Sequence, residues 1–361
     1  MRDDPRTTMQ TSYLIAAGGT AGHVVPALAV ADALRTDGAR VVFAGGDRAE
    51  ADLVPRAGYE FHQLDLEGLD RRNPLKALRA VAKSLLAVGK AWTLIGQLKP
   101  AAVMGGGGYV AGPVGLAAVL RRVPLVLTEA DSHFGLTNRL LAPFAARVCL
   151  AFPLEGRSDE RYVVTGRPIP PPAEGRNEAR GDFGIDGNEP VLVVVGGSLG
   201  ARSINQAAHE AFSAQSEIHV IHAAGERDLP ALAAEPRSST YQLFGYLDSF
   251  SQALLAADLV LSRSGGSVFE IAAAGRPAIL VPYPHAAADH QAGNARWMED
   301  AGAAVTIADD ELTSERLSKE VNRLLGDRDL LAQMAEASLG IARPDATVSV
   351  ADEVMRAGST R

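Results

Sequence analysis

Short apolar runs alternate with longer amphipathic segments along the chain, and this alternation predicts its elements. Each run is continuous, whereas the segments between the runs repeat their apolar positions at helical spacing. The clearest runs are residues 41–44, 102–104, 125–127, 191–195, 219–221, 259–261 and 279–281. Such runs, separated by helices, are typical of parallel sheets covered on both faces. We therefore predict an α/β protein built from β-α-β units.

The two halves of the chain open with the same motif. Residues 14–23 read LIAAGGTAGH and residues 192–201, 178 positions later, read LVVVGGSLGA. Each motif is a strand, a Gly-Gly-Thr/Ser-x-Gly turn and a helix, which indicates a duplicated architecture. Several prolines between residues 165 and 174 mark a linker, because proline continues neither element type. We predict one domain over residues 1–166 and a second over residues 167–344.

The two glycine loops are candidate anion sites, because each presents backbone N–H groups and a hydroxyl at a helix N-terminus. The hydroxyls belong to Thr20 and Ser198. The alternative is a tight turn in which these residues only cap the helix. Two equivalent loops favour a phosphate-bearing ligand, although neither has the Gly-x-Gly-x-x-Gly or Walker spacing.

Other candidate chemistry follows the predicted strands. Residues 105–108 are four consecutive glycines, which let a bulky ligand approach the main chain. Glu270 can accept hydrogen bonds from both hydroxyls of a ribose, or can be a plain acid at a helix N-terminus. His290 and Gln291 open a further helix and suit a sugar. His23, directly after the first loop, is either structural or a general base.

No metal centre is predicted from these residues. Asp289 and His290 lack an evident third ligand. The Asp-x-Asp sequence at residues 327–329 precedes an apolar helical run, where an aspartate usually caps the helix.

Charge is distributed unevenly along the 361 residues. The net charge is −8, but residues 1–166 carry +3 and residues 167–361 carry −11. Residues 71–128 hold nine basic residues and no acidic one. The acidic total argues against nucleic-acid binding, whereas the local basic stretch predicts an anionic partner such as a membrane surface. The polar N-terminus and the single Cys149 favour a reducing, cytoplasmic setting.

Residues 74–98 are predicted to form a helix with an apolar band beside a basic band. The apolar band is Leu75, Leu78, Ala82, Leu85 and Trp92, and the basic band is Lys76, Arg79, Lys83 and Lys90. This arrangement is what a helix on a membrane surface needs. An ordinary helix that packs on the core and has a solvated face is the alternative. The absence of acidic residues favours reversible attachment to anionic membranes through residues 71–90.

Taken together, the ordered motifs resemble one enzyme family. They are residues 18–23 (GGTAGH), 106–113 (GGGYVAGP), 135–138 (GLTN), 196–202 (GGSLGAR), 262–265 (SRSG) and 270–275 (EIAAAG), with Gln291 and Asn294. The sequence is similar to the MurG family of UDP-N-acetylglucosamine:undecaprenyl-pyrophosphoryl-muramyl-pentapeptide N-acetylglucosaminyltransferases. The resemblance runs from about Tyr13 to about Leu325. Members make lipid II from lipid I in peptidoglycan synthesis.

This resemblance implies a GT-B fold, in which two Rossmann-like domains with parallel sheets face a central cleft. The first domain would receive the lipid I acceptor and face the membrane, with the last helix, about 345–361, packed back on it. The second would bind UDP-N-acetylglucosamine. The resemblance implies no metal and no other cofactor. It implies an inverting transferase on the cytoplasmic face of the membrane, with His23 as the base that deprotonates the muramyl 4-hydroxyl.

Substrate contacts are also implied by position. The matching residues are Thr20, Ala21, Gly22, Asp131, Arg167, Ser198, Leu247, Gly266, Ser267, Val268, Phe269, Glu270, His290 and Gln291. Among them Ser198 would meet the pyrophosphate, Leu247 the uracil and Glu270 the ribose. Asp131 stands where the family has an amide, and Arg167 lies near a position where the family has an arginine.

Three other functions remain compatible with these motifs. A UDP-N-acetylglucosamine 2-epimerase has the same fold and needs no membrane helix. A related transferase could use another lipid acceptor. A nucleotide-sugar sensor would bind UDP without turnover.

Overall fold

The computed structural model describes residues 10–66, 74–197, 200–214, 217–286 and 289–360, with backbone only for residues 74–79 and 81. The chain divides into two compact units. The first contains Met1–Pro170 together with Asp345–Arg361, and the second contains Pro171–Pro344. Within the described ranges, no helix is both long and apolar enough to cross a membrane.

The first unit is built on a parallel sheet of seven strands. In chain order they are β1 (Ser12–Ala16), β2 (Arg40–Gly45), β3 (Glu60–Gln63), β4 (Ala102–Gly105), β5 (Leu125–Glu129), β6 (Arg147–Leu150) and β7 (Tyr162–Val164). Their spatial order is β3-β2-β1-β4-β5-β6-β7, and every paired strand runs parallel to its neighbours. Successive apolar residues of a strand alternate between two cores, which is why the strands read as continuous apolar runs.

Helices cover both faces of this sheet. They are α1 (Ala21–Thr36), α2 (Ala49–Arg56), α3 (Pro74–Leu98), α4 (Ala111–Leu120), α5 (Leu136–Leu141) and the C-terminal α14 (Ala346–Ser359). One core joins Leu14 and its neighbours to α3, α4 and α5. The other joins Ile15 and its neighbours to α1 and α14. The helix predicted over residues 74–98 is confirmed as α3.

The end of the chain completes the first unit. Helix α14 packs on α1, β4, β5 and β6 and buries Val350 and Val354 there. Glu353 of α14 pairs with Arg147 at 3.1 Å. The expected boundary at residue 166 lies before the observed division after Pro170. Arg167 lies on the first unit's side of this division, and its guanidinium bonds to the main chain of that unit.

The second unit repeats the same plan with six parallel strands. They are β8 (Val191–Val195), β9 (His219–Ala223), β10 (Tyr241–Phe244), β11 (Leu259–Ser262), β12 (Ala278–Leu280) and β13 (Ala304–Thr306), in the spatial order β10-β9-β8-β11-β12-β13. The helices are α6 (Arg176–Asp182), α7 (Arg202–Phe212), α8 (Leu229–Ala233), α9 (Phe250–Ala256), α10 (Ser267–Ala273), α11 (His290–Asp300), α12 (Ser314–Leu325) and α13 (Arg328–Ile341). The prediction of two parallel-sheet domains is confirmed.

In both sheets the strand order reverses beside the first strand of the unit. The loops after β1 and β4 therefore diverge from one point, as do the loops after β8 and β11. Open α/β sheets bind ligands at the carboxyl ends of the strands at such a reversal. The glycine-rich segments of the sequence lie in these loops, so the fold places each candidate motif where a ligand site is expected.

Candidate active site

His23 and the four-glycine segment come together in the first unit. His23 lies in the first turn of α1, and a Cβ added to Gly107 would lie 2.7 Å from its Nδ1. Gly107 has φ +94°, a conformation that side chains rarely adopt. Thr20 is the N-cap residue of α1, but its hydroxyl makes no capping hydrogen bond. Thr20 therefore occupies the N-cap position without capping through its side chain, and its predicted substrate contact stays a prediction.

Arg167 ties two predicted segments together. Its buried guanidinium donates to the carbonyl oxygens of Gly22, at 2.5 Å, and Ala130, at 3.4 Å. These contacts hold the start of α1 beside the segment that contains Asp131. The predicted substrate contact of Arg167 stays a prediction, as do those of Ala21 and Gly22.

The segment after β5 is organised by Glu129. The Glu129 carboxylate accepts hydrogen bonds from Gly135 N at 2.7 Å and from Asn138 Nδ2 at 3.0 Å. Burial raises the pKa of Glu129, partly opposed by these donors. Asp131 N also approaches this carboxylate, at 3.4 Å, so Asp131 sits in a loop whose shape Glu129 sets.

Sequence reasoning missed Glu50, a buried carboxylate that accepts three hydrogen bonds in this unit. Glu50 is fully buried, and its Oε2 accepts from Gly19 N at 2.8 Å. Its Oε1 accepts from Gly46 N at 2.8 Å and from the Tyr109 hydroxyl at 3.0 Å. Burial, together with the Glu50 charge, raises the pKa of Tyr109 above its ordinary value. The only sequence signal was an acid in the first turn of a helix after Gly45 and Gly46.

In the second unit, the glycine loop after β8 is tightly folded. Gly197 and Gly200 have φ of +85° and +71°. A Cβ on Gly196 would collide with the backbone N of Ala201, so this turn requires glycine. Ser198, the predicted pyrophosphate contact, lies outside the described residues.

The loop after β11 leads into α10, with Glu270 in its first turn. Gly266 is the N-cap residue, and Ser267 begins the helix. The side chains of Val268 and Phe269 are buried, and their N–H groups bond to Gly265 O and Gly266 O. Their predicted substrate contacts remain predictions. Glu270 itself is only half-buried.

Helix α11 is fastened to that loop. Asn294 Nδ2 donates to Ser264 O at 3.0 Å, and the Ser264 hydroxyl donates to Gln291 O at 2.7 Å. The side-chain oxygen of Gln291 accepts from Tyr283 N at 3.0 Å. The structure thus brings the β11 loop and the start of α11, with His290, to one end of the sheet.

A buried polar network that the sequence did not reveal lies behind the β8 loop. His222 is fully buried, with Nδ1 2.6 Å from the Tyr241 hydroxyl and Nε2 3.1 Å from Asn205 Oδ1. The Asn205 amide nitrogen donates to Ala224 O and to the Asp228 carboxylate. Its oxygen therefore faces His222 and accepts from Nε2–H, which leaves Nδ1 to accept from Tyr241. Burial lowers the pKa of His222 to about 3.

Two smaller predictions can be compared with the structure. Leu247, the predicted uracil neighbour, is buried in the segment between β10 and α9. Asp327 caps α13 by accepting from Leu330 N at 2.9 Å, as predicted. Among the described residues, no group of three or more His, Cys, Asp or Glu side chains could hold a metal ion.

Comparisons with known proteins agree with this architecture. Family models for the glycosyltransferase family 28 N-terminal and C-terminal domains match residues 13–150 and 191–350. A Moorella thermoacetica protein named UDP-N-acetylglucosamine--N-acetylmuramyl-(pentapeptide) pyrophosphoryl-undecaprenol N-acetylglucosamine transferase is 40% identical. The alignment covers 95% of this chain and 98% of that protein. A Halorhodospira halophila protein of the same name is 41% identical, over 93% and 96% of the two chains.

Solved structures give the same result. The crystal structure of Acinetobacter baumannii MurG has a TM-score of 0.76 and 33% identity, with 96% of this chain and 99% of that chain covered. A UDP-N-acetylglucosamine 2-epimerase from Neisseria meningitidis has a TM-score of 0.64 at 12% identity, which shows the fold alone.

The two sheets and these matches define a glycosyltransferase of the GT-B fold. Within that class, the chain belongs to the MurG family of N-acetylglucosaminyltransferases. The family and the fold predicted from the sequence are both confirmed.

Proposed function

We propose that this protein transfers N-acetylglucosamine from UDP-N-acetylglucosamine to the 4-hydroxyl of the muramyl sugar of lipid I, which gives lipid II. The observation that carries the proposal is about 40% identity, over nearly the whole of both chains, to transferases named for this reaction. The epimerases match only in fold, at low identity, and therefore do not compete with it.

In the proposed reaction the acceptor oxygen displaces UDP with inversion at the anomeric carbon. His23 takes the proton of the 4-hydroxyl, the new C–O bond forms, and the bond to the diphosphate breaks. Support comes from the place of His23, in the first turn of α1 and against Gly107, at the strand-order reversal. The first unit would thus bind the acceptor.

The second unit would bind the donor, without a metal ion. Helix N-termini in the loops after β8 and β11 are suited to the diphosphate, whose charge grows as UDP leaves. Glu270 would accept hydrogen bonds from the ribose hydroxyls, and Gln291 and His290 would face the N-acetylglucosamine. The hydrogen bonds between the β11 loop and α11 support this set, since they hold these residues at one end of the sheet.

The same protein would attach reversibly to anionic membrane on its cytoplasmic face, through α3 and its neighbours. Leu85 and Leu86 of α3 are 66% and 71% exposed. The adjoining α4, α5 and following turn expose Leu116, Leu120, Leu136, Leu140 and Phe144. Lys83 is not a freely available cation, because it pairs with Asp65 at 2.7 Å. The exposed leucines therefore support the attachment more strongly than that lysine does.

The deciding experiment incubates the purified protein with UDP-N-acetylglucosamine and a lipid I analogue. We expect a lipid II analogue and stoichiometric UDP. Formation of the 2-epimer, or UDP binding without turnover, would replace the proposal with one of its alternatives. His23→Ala should lower kcat by about 10²–10⁴-fold. Replacement of the half-exposed His62, on edge strand β3, serves as the control and should leave kcat unchanged.

A further inference from the structure

One buried carboxylate joins three loops at the carboxyl end of the first sheet. Glu50 accepts hydrogen bonds from the loop after β1 through Gly19, from the loop after β2 through Gly46, and from the loop after β4 through Tyr109. All three strands end at the point where the strand order reverses or beside it. The side chain is fully buried, so these donors replace its water shell.

The surrounding glycines show how closely this carboxylate is enclosed. A Cβ on Gly18 would lie 2.5 Å from Glu50 Oε1, and a Cβ on Gly45 would lie 2.7 Å from Glu50 Cγ. The Tyr109 ring lies under Arg48, whose guanidinium carbon is 5.1 Å from the ring centre. The carboxylate is therefore closely enclosed, and its three hydrogen bonds connect the loops to one another.

Two of these loops lead to the proposed base. Gly19 directly precedes Thr20, the N-cap of the helix that carries His23. Tyr109 follows the glycine segment whose Gly107 lies against the His23 ring. We propose that Glu50 is a positioning residue that sets the His23 ring against the acceptor. This inference rests on the proposed function.

An isosteric amide should disturb this arrangement selectively. In Glu50→Gln the side-chain oxygen can still accept hydrogen bonds from Gly46 N–H and from the Tyr109 hydroxyl. The amide NH₂ then faces Gly19 N–H, and because both groups are donors, no hydrogen bond forms between them. The contact that is lost is the one next to the helix of His23. Volume and most of the packing are retained, so the variant tests position more than folding.

The experiment compares Glu50→Gln with Glu60→Gln, an exposed carboxylate on the edge strand of the same sheet. We expect kcat with saturating acceptor to fall about 10- to 100-fold in Glu50→Gln, because small misplacements of a catalytic group have such effects. The Kd for UDP should be unchanged, since Ser198, Leu247 and Glu270, the residues proposed to contact UDP itself, belong to the second unit. Glu60→Gln should match the parent protein in both measurements.

A double-mutant cycle between Glu50→Gln and His23→Ala distinguishes a positioning role of Glu50 from a general loss of structure. In a His23→Ala background the Glu50→Gln loss should shrink to within about twofold, because residues that act through one another are not additive. Equal losses in both backgrounds, with His23 shown to be essential, would overturn this inference alone. Normal turnover of His23→Ala would instead overturn the proposed base. If Glu50→Gln does not fold, Glu50→Asp keeps the charge but is too short to reach all three donors, and the same cycle is measured with it.

Discussion

Two adjacent glycines illustrate how single residues shape the first unit. Gly107 and Gly108 have φ of +94° and +75°, and their neighbours are the His23 ring and the carbonyl of Gly18. Both a backbone preference and a close approach therefore require glycine here. A loop that is only flexible would need the backbone preference for glycine but not the close approach of neighbouring atoms.

Gly107→Ala should lower turnover, whereas Gly38→Ala should not. Both positions have positive φ, so each alanine should cost about 1–2 kcal/mol of stability. At Gly38, however, no atom lies within 4 Å of the added Cβ, while at Gly107 it meets His23. The measurements are kcat and the midpoint of thermal unfolding. Equal kcat in the two variants would show that His23 does not depend on this loop.

Glu270→Ala should weaken UDP binding by about 1–3 kcal/mol, the range for lost hydrogen bonds to a charged group. Titration calorimetry on the folded variant measures it. Glu336→Ala, an exposed acid on α13 of the same unit, is the matched control and should bind UDP as the parent does. An unchanged Kd for Glu270→Ala would remove Glu270 from the donor site.

At the scale of elements, helix α3 is where the sequence pattern was most informative and also most incomplete. Its existence was predictable from spacing, but among its described side chains the buried ones are Ala80, Ala87, Ala91, Leu94 and Ile95. The larger Leu85 and Trp92 of the predicted apolar band remain exposed, at 66% and 40%. Small residues let α3 pack closely on α4, and this choice between two stripes depends on the partner helix.

We expect Leu85→Ser with Leu86→Ser to reduce binding to anionic vesicles at least tenfold. Each leucine is worth about 1.5–3 kcal/mol when it leaves water completely. Leu339→Ser, at a leucine of the second unit that is 57% exposed, should have no effect. Vesicle sedimentation at low and high salt measures both, and salt should weaken the remaining binding because headgroup attraction is screened. Unreduced binding would move the membrane face elsewhere.

How far the sequence could be interpreted depended on where partners lie along the chain. Central strands such as β8 are buried on both faces and can be recognised in the sequence as apolar runs. Edge strand β3 has the sequence Glu-Phe-His-Gln, which contains no such run. The glycine loops were visible because their motifs are local. Glu50 and His222 were not, since their partners Tyr109 and Tyr241 lie 59 and 19 residues away. Only folding brings such partners together.

At the scale of the whole molecule, the buried histidine predicts a loss of stability in acid. The pKa of His222 is lowered to about 3 by burial, from an ordinary 6.5. Between these values the unfolded chain binds a proton that the folded chain does not. Stability from this group is therefore complete above pH 6.5 and falls as pH decreases, by at most about 1.4 kcal/mol per pH unit.

Urea unfolding between about pH 7 and about pH 4 tests this expectation. His222→Gln should have a shallower dependence of unfolding free energy on pH than the parent protein. His285→Gln, at an exposed histidine of the same unit, is the control. Parallel pH profiles for all three proteins would contradict the buried neutral histidine.

The return of α14 to the first sheet has a consequence for the order in which the protein is completed on the ribosome. The second unit is one continuous stretch, Pro171–Pro344, and therefore emerges from the ribosome before α14 does. The first unit cannot close its core until Val350 and Val354 arrive. Since domains generally fold as they are synthesised, the later-encoded unit can finish first. Helix α1, which carries His23 and receives α14, is thus completed only after translation has reached the last helix.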